Sequence, residues 1–231
     1  IPLPFNFKYF GNNYTANDNL LTICSNGWVS FEQTQIDYFW NFSIPNPMGP
    51  SAMIAPFMDD LDDNNGTEDF DVWYFYDQIN NRLIIEWDNV SNGEDDEFCP
   101  NCIKESFQVI LHNSDYYNTK TGDGEIIFQY KSIYDIDDNG VFSTIGIESP
   151  DQDDGVEYLY NQETGLGSFW VKNEEDGQIN LNSEIAIKFT TGPSEISCAL
   201  YDINQDGIVN VQDIVAAINY VLGTIVPTAE Q

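Results

Sequence analysis

The chain has 231 residues, 42% of them hydrophobic, enough for one large β domain or two smaller units with a real core. Thirty-nine Asp and Glu oppose seven Lys and Arg, a formal charge of −32, which by Coulomb repulsion argues against nucleic acid and anionic membranes as partners. No apolar run reaches the ~18 residues of a membrane span, so membrane insertion is not expected.

From Pro2 to about Thr191 the chain is a series of short β-type runs: LPFNFKYF, NLLTICS, WVSF, AMIAPF, DVWYFY, RLIIEW, SFQVILH, EIIFQY, VFSTIGIE, VEYLY and EIAIKF. β-branched and aromatic residues fill them, and Asn, Asp, Gly and Pro fill the breaks. Without helical periodicity between the runs, they predict an antiparallel, jelly-roll-like β-sandwich over 1–191. Trp73, Phe75, Trp87 and Phe107 lie within these runs and are expected to face the core. The segment Pro2–Phe10 is expected at a sheet edge, open to pairing with another subunit. The sole histidine, His112, is expected to be a packed or surface side chain, since no nucleophile or metal motif pairs with it.

A linker, 192–199, leads to DINQDGIVNVQD at 202–213. Asp202, Asn204, Asp206, Asn210 and Asp213 occupy positions 1, 3, 5, 9 and 12 of an EF-hand-type loop. Gly207 stands where the loop turns sharply, and Ile208 is placed to offer its carbonyl. Hard Ca2+ takes oxygen ligands of this kind, so calcium is the expected cofactor. Val211, Ile214, Val215, Ile218, Val221 and Leu222 then follow a 3.6-residue period, and Gly223 stops the helix. So short a helix must bury its stripe on the sandwich or on another chain. Residues 224–231 are read as a tail.

Further calcium candidates are Asp135, Asp137 and Asn139 in DIDDNG, whose alternative is a hairpin turn, and Asp60 and Asp62 in DDLDDNNGTEDFD, whose alternative is a solvated loop. Four cysteines, Cys24, Cys99, Cys102 and Cys198, are an even count that suggests oxidation outside the cytoplasm. Three pairings remain open. A local Cys99–Cys102 disulfide is favoured over a redox motif, because the βαβ context is missing, and over a zinc site, because the other two cysteines are isolated. Asn13, Asn41, Asn65 and Asn89 open N-x-S/T sequons and are glycosylation candidates. Trp40 and Trp170, near predicted loops, are candidates for a sugar-stacking face.

Two resemblances follow from these residues. LYDINQDGIVNVQDIVAAINYVLG, 200–223, resembles one type I dockerin repeat. Dockerins carry two such repeats that dock into cohesins; one repeat implies a severed pair, a partner repeat in another chain, or a structural use. The order LPFNFKYFG, CSNGWVSF, IPNPMGPSAMIAPFMDDLD, IIEWDNV, FQVIL, GEIIFQY and TIGIE is similar to nidogen-like extracellular β domains and to modules of large secreted bacterial proteins, with Met58 where Trp often stands. That resemblance implies a mostly non-catalytic role in adhesion, matrix contact or display.

The expectation is thus an all-β sandwich followed by a small calcium loop-helix unit, acting outside the cell as a processed, non-catalytic structural or adhesive module. Its expected partners are copies of itself, another extracellular protein, or polysaccharide. The alternative is a carbohydrate-binding accessory module of a larger secreted hydrolase.

Overall fold

A computed structural model describes residues 1–37, 41–62, 71–92, 104–133, 143–160 and 184–192. Within them the architecture is all-β and antiparallel, in thirteen strands. Each of the eleven β-type runs supplies one of these. The two others, β2 (Asn12–Tyr14) and β6 (Leu61–Asp62), are too short and too polar to show a strand pattern.

Five strands form one sheet in the order β12 (Gly155–Tyr160), β11 (Thr144–Glu148), β5 (Met53–Met58), β4 (Trp28–Ser30) and β3 (Thr22–Cys24). The second sheet runs β13 (Ile185–Phe189), β10 (Ile126–Ser132), β9 (Glu105–His112) and β8 (Arg82–Asn92). β8 is long enough to pair with two strands on its far edge: β6 at Ser91–Asn92, and β7 (Asp71–Asp77) along Arg82–Asp88.

The inner faces of both sheets share one core that includes Val29, Ile54, Phe57, Ile85, Trp87, Phe107, Val109 and Phe128. Trp87 stacks on Phe107 at 5.1 Å, and Phe107 meets Phe57 of the opposite sheet edge-on at 5.5 Å. Buried side chains also reach backbone carbonyls across the core. Trp87 Nε1–H donates to Cys24 O at 3.0 Å, Tyr130 O–H to Pro56 O at 2.6 Å, and Tyr9 O–H to Met53 O at 2.7 Å.

The N-terminal segment does not form the open edge expected of it. β1 (Phe7–Tyr9) pairs with β2, Pro2 bridges to Leu20, and Leu3, Phe5, Phe7 and Tyr9 are buried in the core. Alternating apolar residues at 3, 5, 7 and 9 make it a lid on the sandwich, because a face so apolar is driven out of water.

The inner strands of the five-stranded sheet, β11, β5 and β4, are buried on both faces. A second cluster, Cys24, Trp28, Phe42, Ile44, Met53, Ala55 and Met58, lies outside the main core, with Ile36 packed against it. The segment around Phe42 and Ile44 therefore covers this sheet's outer side. Carboxylates hold it there: Glu157 Oε2 accepts Ile44 N–H at 2.8 Å and Glu148 Oε1 accepts Asn46 N–H. Thr144 Oγ1 donates to Phe42 O at 2.9 Å. Burial pushes the Glu148 and Glu157 carboxyls above their ordinary range. The native chain thus holds these protons more tightly than the unfolded chain, so this clamp favours folding most below the unfolded value of 4.5 and progressively less as pH rises through the native values. Glu148→Gln keeps an acceptor for Asn46 and removes the buried charge. Its urea midpoint should fall less steeply between pH 4 and 8 than that of the parent chain; parallel curves would show that Glu148 does not titrate in this way.

Candidate functional face

The six-stranded sheet turns its other side to solvent, and the register shows what stands there. Side chains of cross-strand partners share a face. One row reads Trp73, Glu86, Gln108, Gln129, Ala186 across β7, β8, β9, β10 and β13; the next reads Phe75, Ile84, Ile110, Ile127, Lys188.

At the β7 end three consecutive aromatics are exposed: Trp73 at 57%, Tyr74 at 59% and Phe75 at 63%. This corrects the expectation that Trp73 and Phe75 lie in the core, where Trp87 and Phe107 do lie. β7 is an edge strand, so its Val72 and Tyr76 side is only partly covered, Tyr76 meeting Phe5 at 5.8 Å, while its other side points away from the sandwich. Monomeric proteins seldom expose so concentrated an apolar surface without a use for it.

Beside Trp73 the row becomes polar. Glu86, Ser106, Gln108, Gln129, Lys131 and Glu184 line a concavity of about 380 Å³. Gln108 Nε2 donates to Gln129 Oε1, Ser106 Oγ donates to Asp88 Oδ1 at 3.0 Å, and Lys131 Nζ lies 3.8 Å from Asp88 Oδ1. Partial burial pushes the Glu86 carboxyl up, and the neighbouring Asp88 charge adds to this against the opposing Lys131.

At the far end of β9, His112 is buried. Its Nδ1–H donates to Glu125 Oε1 at 2.9 Å, its ring stacks on Tyr117 at 4.1 Å, and Lys188 pairs with Glu125 Oε2. Burial pulls its pKa down in spite of Glu125, so its packing favours the fold above pH 6.5 and loses that contribution as pH falls through the native value. His112 is thus a packed side chain whose neutral form the fold prefers.

Among the described residues no group of three or more His, Cys, Asp or Glu is arranged to hold a metal, and no helix is long and apolar enough to cross a membrane. Of the further calcium candidates, Asp60 N–H bonds to the buried Asp59 Oδ1 at 2.9 Å, and Asp62 pairs in β6 with Ser91. Asn13 and Asn89 are exposed, and Asn41 is half-buried with its Nδ2 3.5 Å from Asp59 Oδ1. Cys24 is a free, buried thiol that sits among Trp28, Met53 and Met58 on the covered side of the sheet, and its candidate disulfide partners lie outside the described residues. The calcium loop 202–213, Asp135, Asp137, Asn139, Asn65, Trp40, Trp170, Cys99, Cys102 and Cys198 lie outside the described residues.

These observations define an antiparallel β-sandwich closed on one side by its own chain and open on the other at an aromatic edge. Residues 1–190 match the family model of NIDO-related domains, and the chain belongs to that nidogen-related family. No curated protein and no solved structure matches it.

Proposed function

We propose that the chain is a non-catalytic structural or adhesive module of an extracellular protein, and that it makes contact through the open face of the six-stranded sheet. The observation that carries this reading is the exposure of Trp73 and Phe75 together on the outward side of an edge strand, where the other large aromatics among the described residues are mostly buried. Family membership supports a β module as the working unit. In this reading the loop at Asp202, Asn204, Asp206, Ile208, Asn210 and Asp213 binds Ca2+, which offsets part of the charge of −32 and turns binding free energy into folding or assembly free energy.

Calorimetric titration of calcium into chelator-treated chain, with mass followed by light scattering, tests this. The expected result is tight binding that is lost in Asp202→Ala and Asp206→Ala variants. Growth in mass on calcium addition would identify self-assembly as the contact; constant mass would assign the face to another partner. Absence of binding would remove calcium from the proposal.

A further inference from the structure

We infer that the open face of the six-stranded sheet is a binding site for a neutral polysaccharide, with Trp73 as its stacking platform and Glu86, Gln108 and Gln129 as its hydroxyl-binding row. This rests on the reading of the chain as a non-catalytic contact module and names the ligand of that face.

Three features converge on a sugar. First, Trp73 stands beside Glu86 in register and is more than half exposed, so one ring face is free to lie against the C–H face of a pyranose. Phe75, two residues along the same side of β7, extends the platform by about 6.8 Å. Second, the amides continue from the ring across the sheet. The Gln108–Gln129 bond uses one donor and one acceptor, leaving Gln108 Oε1 and a Gln129 N–H for paired hydroxyls. A carboxylate beside amides, in a concavity of about 380 Å³, suits groups that both donate and accept. The row crosses four strand intervals, about 19 Å at ordinary strand spacing, which fits an extended chain better than a single sugar.

Third, charge selects among polymers. A molecule carrying −32 repels polyanions, including acidic glycans and a second copy of itself. A basic protein would be drawn to a dense array of carboxylates, yet in a chain with 39 acidic residues this concavity carries two, Glu86 and Glu184, beside Lys131, Ser106, Gln108, Gln129 and Ala186. A neutral glycan pays no such repulsion and needs the amides.

Affinity electrophoresis of the full chain in gels containing hydroxyethyl cellulose, xyloglucan, galactomannan or, as the polyanionic control, alginate provides the test. Retardation is expected in at least one neutral glycan and not in alginate. It should weaken about tenfold or more in Trp73→Ala and in Gln108→Ala, and stay unchanged in Tyr116→Ala, which removes an exposed aromatic on the β9–β10 connection. Circular dichroism and thermal midpoints of the variants check that each is folded. Retardation in none of the neutral glycans, or retardation that Trp73→Ala leaves intact, overturns the inference. If glycan binding is absent while Trp73→Ala abolishes calcium-dependent growth in mass, the glycan inference falls and the contact-module reading stands.

Discussion

Replacing Trp87 with Ala is expected to cost about 3–5 kcal/mol of folding free energy, the usual range for deleting a buried large aromatic. Trp87 is fully buried, stacks on Phe107 at 5.1 Å, and donates its indole N–H to Cys24 O across the core. Truncation removes the apolar contact, leaves a cavity between the sheets, and orphans a buried carbonyl. The informative control is Trp73→Ala on the paired strand, one register position away on the opposite face. That ring is mostly in water, so its removal should change stability by no more than about 0.5 kcal/mol. Urea unfolding followed by far-ultraviolet circular dichroism reads both. Equal losses for the two variants would mean that Trp73 is covered in solution, which would also remove the proposed binding face.

A second large effect is expected at Gly27, in the turn between β3 and β4. Its φ is +76°, and a Cβ there would lie 1.6 Å from Phe57 O. Gly27 O in turn accepts Phe57 N–H at 3.3 Å, so the turn and β5 are held in direct backbone contact. An alanine must therefore push apart two backbone segments besides adopting a disfavoured conformation. Strain of about 1–3 kcal/mol for the left-handed conformation and a similar cost for forced displacement add to about 2–6 kcal/mol. Gly11 offers the comparison: its φ is +79° but its surroundings are open, so Gly11→Ala should cost about 1 kcal/mol. Matching unfolding midpoints for the two variants would show that close approach contributes nothing at Gly27.

Strand identity was legible in the sequence because each run pairs β-branched and aromatic residues with turn chemistry on both sides. Facing was legible only where polarity alternates. RLIIEW places Arg82, Ile84 and Glu86 on one side and Leu83, Ile85 and Trp87 on the other, and the burial follows that division. DVWYFY offers no polar phase: Val72, Trp73, Tyr74, Phe75 and Tyr76 are apolar or aromatic on both sides, so nothing local marks Trp73 and Phe75 as solvent-facing. Their exposure follows from β7 being an edge strand, a property of sheet order. The polar row was illegible for a related reason. Glu86, Gln108, Gln129 and Ala186 are spread over a hundred residues and become neighbours only through the registers of β8, β9, β10 and β13. Counting cysteines likewise says nothing of surroundings, and Cys24 packs as a small apolar side chain under the segment that carries Phe42 and Ile44. That covering segment left one sign in the sequence, the unbroken apolar run MIAPFM of β5, which is the pattern of a strand buried on both faces.

The three polar bonds that cross the core have a mechanical consequence. Trp87 on β8 and Tyr130 on β10 tie the six-stranded sheet to the Cys24 and Pro56 carbonyls of the five-stranded sheet, and Tyr9 ties the β1–β2 lid to Met53 O of the same sheet. Side chains that merely interdigitate let two layers creep past one another by successive small rotamer changes. A donor fixed to one carbonyl permits no partial slip, because a shift of one residue strands both partners in a dry interior. Under drag or tension the two sheets and the lid are thus expected to move as a single stiff unit until these bonds fail.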